Sequence, residues 1–370
     1  MRVALLHNHP IHYMHLLFTA IANQGVNLDV IFAARSSNQR SASMLPTGEN
    51  YHSHFLSEGS FESLPQFDSA LHAVRTIKQC SPDVVIISGY FYLPTWSILA
   101  WAKLHRKPIV FWFESNQFDR RRGGSKEMIK KLFVGACDAA HVYGSSNREY
   151  LESLGMKRSM IIEKRATIDS ELFSKRRAAF HSEFRRFIYV GRFSPEKNLP
   201  RLLEAFRIVQ RKHRTELVLV GYGPDEQLLR QQARDLGLND SVVFAGAMTQ
   251  DEVGRALADS DCLVLPSLSE PWGLVANEAL CSGIPIIVSN RCGCARDLVT
   301  EDSGWAIEPE DPEQLAEAMN ELCMLPLGRL KQMGEAALKI ASEYTPEKGA
   351  DRIVANLEEL LERDRPENRR

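Results

Sequence analysis

Two basic side chains, Arg192 and Lys197, lie five residues apart in GRFSPEKN (191–198), directly after the apolar run RRFIYV. A guanidinium makes paired hydrogen bonds to phosphate oxygens and an ammonium acts as a compact charge, so the two could hold a diphosphate. Gly191 would let the chain turn sharply there; a solvated surface loop is the plainer alternative. A second turn, in VGYGPDEQLL (220–229), has Gly221 and Gly223 for close backbone approach and Asp225 where it could cap the next helix. Such turns are common, and this one lacks the third glycine of a dinucleotide fingerprint. The segment SLSEPWGLVANEAL (267–280) carries two acids eight residues apart: Glu270 at a strand end, then the turn Trp272-Gly273-Leu274, then Glu278 inside a helix. Backbone N–H groups at that helix start could cradle phosphate, Glu278 could accept from ribose hydroxyls, and Glu270 from sugar hydroxyls. Ordinary loop and helix charges would read the same way in isolation.

Strand ends are needed to position such residues, and the chain supplies them. In the first half, VALLHN (3–8), VNLDVIFAA (26–34), DVVIISG (83–89), PIVFWFES (108–115) and AHVYGS (140–145) are apolar runs, with helices expected at about 14–23 and 96–105. Continuous apolar strands between amphipathic helices predict a parallel sheet covered on both faces. After residue 170 the pattern restarts with RRFIYVGRF (185–193), a helix whose Leu202, Leu203, Phe206 and Val209 share one face, and the strands ELVLVGYG, SVVFAG, DCLVLPS and PIIVSN. The expectation is an α/β chain of two tandem doubly wound Rossmann-like domains, 1–170 and 171–345. Polar residues 168–184 read as the linker. A last helix, 346–363, has Ile353, Val354, Leu357, Leu360 and Leu361 on one face, available to pack back on the first domain. Ligands bind at the carboxyl ends of parallel strands, so a cleft between facing strand ends is the expected site.

Composition agrees with a folded chain of 370 residues, 44% apolar and 25% charged, long enough for two domains. Residues 1–170 carry 19 Lys and Arg against 14 Asp and Glu, and the rest 26 against 33, so the halves differ by sign. That basic excess is too small to point to nucleic acid. Seven scattered cysteines, of which only Cys292-Gly-Cys294 are close, read as reduced, ordinary thiols rather than a zinc site. The opening MRVALLHNHPIHY lacks the length and cleavage site of a signal peptide, and no apolar run is long enough to span a bilayer. A cytoplasmic protein, able to touch the inner face of the membrane, is expected.

Taken together, GRFSPEKN, VGYGP, FAGAMTQDEV and SEPWGLVANEALCSGIP resemble, in order and spacing, the second domain of retaining family-four glycosyltransferases of the GT-B fold. The tail SGWAIEPEDPEQLAEAM is similar too, and the likeness covers residues 186–320. It implies that Arg192 and Lys197 bind the donor diphosphate, Glu270 the hexose and Glu278 the ribose. Gly273, Leu274 and Val275 would offer backbone contacts, and the turn Gly246-Ala247-Met248 would flank the base. Family members usually need no metal or other cofactor. The acid pair Asp259-Ser260-Asp261 superficially matches the metal-binding pair of other glycosyltransferases, but its place between a helix and a strand suits a structural turn.

HNHPIHYMHLLFTAIA (7–22) resembles the opening of a subset that builds polysaccharides and cell-surface glycans, which would turn His9, Pro10, His12 and Tyr13 towards the cleft; a capped first helix with surface histidines is the alternative. Where the family often has a histidine near the reacting carbon, this chain has Glu114. That carboxylate could steady the acceptor hydroxyl or positive charge at the anomeric carbon, could form a covalent intermediate, or could be a helix N-terminal charge. RRRGGSK (120–126) with Lys130 and Lys131 reads as an acceptor loop able to meet an anionic lipid-linked phosphate, or as a solvated loop. The resemblance thus implies hexosyl transfer, glucose first, from a UDP-sugar to a glycan or lipid-linked glycan, with domain closure excluding water. Two other readings stand beside it. A non-catalytic two-lobe protein would bind sugar or nucleotide without turnover. A dehydrogenase would need the three-glycine loop that neither half carries.

Overall fold

Apolar runs such as VVIIS (84–88) and IVFWF (109–113) are buried along their whole length, as strands covered on both faces must be. The computed structural model describes residues 1–37, 50–118, 125–174 and 179–363. It divides into a first unit of Met1–Glu114, Arg121–Thr167 and Pro346–Arg370, and a second of Ser115–Arg120 and Ile168–Thr345.

The first unit begins with β1 (Arg2–His7), α1 (His12–Asn23), β2 (Asn27–Phe32), β3 (His52–Phe55), α2 (Gln66–Cys80) and β4 (Val84–Ser88). It continues with α3 (Leu93–Leu104), β5 (Ile109–Phe113), α4 (Ser125–Gly135), β6 (Ala139–Val142), α5 (Ser145–Ser153) and β7 (Ile161–Glu163). The second unit holds α6 (Ser170–Ser174), β8 (Arg185–Val190), α7 (Leu199–Gln210), β9 (Thr215–Val220), α8 (Glu226–Asp235) and β10 (Val242–Gly246). Then come α9 (Gln250–Ala258), β11 (Cys262–Leu265), α10 (Leu274–Cys281), β12 (Ile286–Ser289), α11 (Ala295–Leu298), β13 (Gly304–Ile307), α12 (Pro312–Met324) and α13 (Leu327–Ala341). The last helix, α14 (Pro346–Arg363), returns to the first unit.

The first sheet has the order β3-β2-β1-β4-β5-β6-β7 and the second β10-β9-β8-β11-β12-β13. Every pairing is parallel, for example Leu5 with Val30 and Ile86, and Ile188 with Val218 and Leu263. The strand order reverses between β1 and β4 in one sheet and between β8 and β11 in the other. One face of the first sheet is covered by α2, α3, α4 and α5 through residues such as Ile77, Ile98, Phe133 and Leu151. The other is covered by α1 and α14 through Leu17, Phe18, Ile353 and Leu357.

Some expectations shift. The first helix starts at His12 rather than 14, so His12 and Tyr13 belong to its first turn and the loop is only residues 8–11. No side chain caps that helix. Asp225 occupies the N-cap of α8 but has α-helical dihedrals, and its carboxylate makes no capping bond. Within 168–184, read as linker, α6 buries Phe173 in the second unit and packs against α9 and α10; residues 175–178 lie outside the described residues.

Candidate active site

The four motifs of the second half all follow strands of one parallel sheet, so they emerge at the same carboxyl edge. Gly191–Lys197 follows β8, Gly221–Gly223 follows β9, Gly246–Met248 spans the end of β10, and Ser267–Val275 follows β11. These four strands are consecutive neighbours, and β8 and β11 flank the reversal of strand order. Loops diverge at such a reversal and leave the crevice that binds ligands in open α/β sheets.

Lys197 and Glu270 form an ion pair across that reversal, with side chains only 13% and 17% exposed. The loop after β8 is fastened around them: the Leu268 amide donates to the Glu196 carbonyl (2.8 Å), and Asn198, at φ +60°, donates to the carbonyls of Pro266 (3.1 Å) and Pro309 (2.6 Å). Asn116 donates to the Glu270 carbonyl at 2.7 Å, and the Gly293 amide donates to the same oxygen at 3.0 Å. Glu270 is thereby held by its backbone as well as by Lys197. Arg192 is 59% exposed and pairs with Glu196 at 2.9 Å. An exposed pair of this kind is worth little.

Gly221 and Gly273 are glycines for steric reasons. At Gly221, φ is +128° and a Cβ would lie 1.9 Å from the Gly191 carbonyl oxygen, so no side chain fits where the loops after β8 and β9 meet. At Gly273, φ is +98° and a Cβ would lie 2.8 Å from Leu265 Cδ2. Gly273 is the N-cap of α10, which leaves the amides of Leu274 and Val275 among the first N–H groups, without carbonyl partners in their own helix. Amides so placed suit an anion. Glu278, a turn further on, is half-buried and its carboxylate makes no hydrogen bond among the described residues; burial pushes its carboxyl up to about 7. Trp272, in the turn before α10, has its indole enclosed at 2% exposure, donating to Asn277 at 2.8 Å. It anchors the turn, because an indole of that size gains more from burial than from a wet crevice. Ala247 is exposed and Met248 half-buried.

In the first unit, Glu114 follows β5 and one of its oxygens, Oε1, accepts both the Trp112 indole N–H (3.0 Å) and the Tyr143 hydroxyl (2.6 Å). No partner falls on Oε2 among the described residues. The fully buried Lys164 follows β7, its ammonium over the rings of Trp112 (4.1 Å) and Tyr143 (3.8 Å). Burial pushes the Lys164 amine down to about 7, against the pull of Glu114. Tyr143 is also hydrogen-bonded to Tyr13 of α1, and burial with the nearby Glu114 charge pushes its phenol well up. Tyr13 and Glu114, 101 residues apart in sequence, thus meet in one cluster. Sequence reading missed Tyr143, Lys164, Asn116 and Asn198; of these only Tyr143 lay in a run read as a strand, AHVYGS. Pro10 and His9 lie in the loop after β1, where the His9 carbonyl faces His7 Nδ1 at 3.0 Å, and His12 opens α1. Of the basic stretch 120–126, residues 120–124 lie outside the described residues.

Asp261, half of the possible metal pair, is buried and accepts from the His181 and Arg186 amides (2.9 and 2.8 Å), a structural anchor. Cys292 and Cys294 are buried free thiols. Elsewhere Asp29, His54 and Cys80 offer ligand atoms within 4.8 Å of one another, with His54 bonded to Asp29 at 2.7 Å.

Compared with solved structures, the chain has the fold of sucrose-phosphate synthase from Thermosynechococcus elongatus, at a TM-score of 0.79 and 18% identity over 98% of this chain and 99% of that one. It is also similar in fold to HepE of Anabaena, solved in complex with UDP and glucose, at a TM-score of 0.74 and 17% identity over 97% and 100%. The fold is therefore GT-B, built on two parallel α/β sheets. Residues 171–340 match the family model described as glycosyl transferases group 1. It is similar to an uncharacterized glycosyltransferase of Methanocaldococcus jannaschii, 29% identical over 142 residues, which are 38% of this chain and 36% of that relative. The match thus spans little more than a third of the relative's length.

Proposed function

We propose that this protein is a retaining hexosyltransferase that moves glucose from UDP-glucose, or a close relative of that donor, to a glycan or lipid-linked glycan acceptor in polysaccharide or cell-surface glycan assembly. The observation that carries the reading is the Lys197–Glu270 pair at the reversal of strand order, beside the free first amides of α10 and the unpartnered carboxyl of Glu278. The diphosphate lies against Arg192, Lys197 and the Leu274 and Val275 amides, the hexose against Glu270, the ribose against Glu278. The complex of the similarly folded HepE with UDP and glucose supports the choice of donor.

In the transfer, the bond from the sugar's anomeric carbon to the β-phosphate oxygen breaks and the acceptor oxygen bonds to the same face. The acceptor's proton passes to the departing phosphate, and UDP leaves. Arg192 and Lys197 meet the charge that builds on the leaving diphosphate, which is electrostatic catalysis that needs no divalent ion. Glu114 and the His9–Tyr13 segment of the first unit take the acceptor; a carboxylate with Oε1 fixed by two donors can present Oε2 to a hydroxyl.

The test is a thermal-shift series with UDP, UDP-glucose, UDP-galactose and GDP-mannose, with and without magnesium. At about a hundredfold excess over Kd, binding stabilises by about 2.7 kcal/mol. UDP-glucose is expected to raise the midpoint without magnesium, and Arg192→Ala to abolish most of the shift. No shift with any nucleotide would remove the donor assignment, and a shift without UDP release on prolonged incubation would favour a binding protein.

A further inference from the structure

Where α2 covers the edge of the first sheet, the packing changes character along the helix. Ala73 and Ile77 of α2 are buried in one apolar cluster with Ile31 of β2 and with Leu56, just after β3. Asp29 shares the face of β2 that carries Ile31, since alternate residues of a strand point the same way. His54 of β3 pairs with Ile31 in register, and Cys80 ends α2 one turn beyond Ile77. At that end the layer is closed by an acid, a histidine and a thiol instead of apolar side chains. His54 Nε2 bonds Asp29 Oδ1 at 2.7 Å, Cys80 Sγ lies 3.8 Å from the same nitrogen, and the thiol also hydrogen-bonds to Asp29.

The three ligand atoms all lie within 4.8 Å of one another. A tetrahedral zinc, with N and O at about 2.1 Å and S at about 2.3 Å, sets its ligand atoms about 3.3–3.6 Å apart. The observed 2.7 and 3.8 Å bracket that spacing, so closing on an ion takes side-chain shifts of about an ångström or less. A fourth position is left for water, and the His54 side chain, 33% exposed, gives water a path to it. An imidazole, a carboxylate and a thiolate together carry two negative charges, which a divalent ion cancels. Among the described residues, His54 is the one basic side chain paired with Asp29. Thiolate with imidazole suits zinc or cobalt, whereas magnesium and calcium take oxygen. The group lies in the amino-terminal half of β2 and at the end of α2 that leads into β4, while Glu114 and the loop after β1 lie at the carboxyl ends of their strands. Its place is therefore structural.

We propose that Asp29, His54 and Cys80 bind one divalent ion of the zinc type, which fastens the edge strand β3 to β2 and to the end of α2. On binding, the Cys80 thiol proton passes to solvent and His54 coordinates through Nε2 with its remaining proton on Nδ1; no electron is transferred. The proposal stands independently of the sugar-transfer reading, in which no metal takes part.

The untagged full chain, stripped with a chelator and kept reduced, is titrated with cobalt(II), a coloured substitute for zinc. Wild type is expected to bind one cobalt per chain, with a thiolate-to-cobalt charge-transfer band and the visible bands of four-coordination. Zinc should bleach both, and zinc but not magnesium should raise the thermal midpoint. Cys80→Ser should remove the charge-transfer band, and His54→Ala and Asp29→Asn should each weaken cobalt binding by about tenfold or more. Cys323→Ser, at the other half-buried thiol, in α12 of the second unit, should bind cobalt as wild type does. In the wild type itself, zinc should slow alkylation of Cys80 by iodoacetamide and leave that of Cys323 unchanged, a readout that needs no variant to fold. Absence of the charge-transfer band, a band that survives in Cys80→Ser, or Cys80 alkylation indifferent to zinc would overturn the proposal and leave a hydrogen-bonded trio.

Discussion

Lys164 is the least comfortable residue in the first unit, a fully buried amine with no hydrogen-bond acceptor among the described residues, held over two aromatic faces near Glu114. Its folded value of about 7 lies below the ordinary 10.5, so the unfolded chain binds the proton more tightly between those limits. Stability contributed by the neutral amine is therefore present above 10.5, is lost as pH falls through 7, and stays lost below. The slope is at most about 1.4 kcal/mol per pH unit. Lys164→Met should accordingly gain on wild type as pH drops from 10 to 7, read as a widening gap in thermal midpoint. A gap that does not change with pH would show that the amine does not titrate there. The strand-end positions of Arg192, Lys197 and Glu270 were legible because each follows an apolar run, and Glu278 falls in the helix after the last of them. Lys164 and Tyr143 were not, since their meaning comes from Glu114 and Trp112 on a different strand.

At the scale of elements, the second unit owes its site to tight strand-end turns. Gly221→Ala puts a Cβ 1.9 Å from the Gly191 carbonyl oxygen, whereas Gly237→Ala, at φ +71°, meets nothing within 4 Å. Both carry left-handed strain of about 1–2 kcal/mol, and only the first adds a backbone collision. Gly221→Ala should lower the thermal midpoint well beyond Gly237→Ala and weaken the response to UDP; equal midpoints would mean that the two loops are free to part. Strands β3, β7 and β13 escaped sequence reading. β3 is HSHF and β7 only three residues, too polar or too short to show an apolar period, and they exist because a neighbouring strand offers an edge. α6 was hidden for a related reason: one buried phenylalanine in five residues is a weak pattern until α9 and α10 are beside it.

For the whole molecule, the chain's end completes its beginning. Ile353, Val354, Leu357 and Leu360 of α14 are buried with Met14, Leu17, Phe18 and Ile21 of α1 in one core. Asn356 bonds buried His141 of β6 at 2.9 Å, and Asp351 receives Gln24 of α1 at 2.7 Å. Four such side chains are worth on the order of 8 kcal/mol together, comparable with the net stability of a domain. A chain ending at Thr345 should therefore lose the first unit and keep the second. Limited proteolysis should leave a fragment that begins near Ile168, and a truncated chain as resistant as the full one would show that α14 is dispensable.

By itself the sequence determined two parallel α/β units, the strand-end placement of the second half's motifs and the amphipathic face of the last helix. Each of these is a local matter of apolar period, turn residues and order along the chain. Only the tertiary structure decided that the loops after β8 and β11 stand together with Lys197 paired to Glu270, and that Tyr13, Glu114, Tyr143 and Lys164 form one cluster. It also decided that Trp272 turns inward. Strand order and helix packing bring these residues together across tens of intervening positions, and no local pattern encodes which distant side chain will be the neighbour.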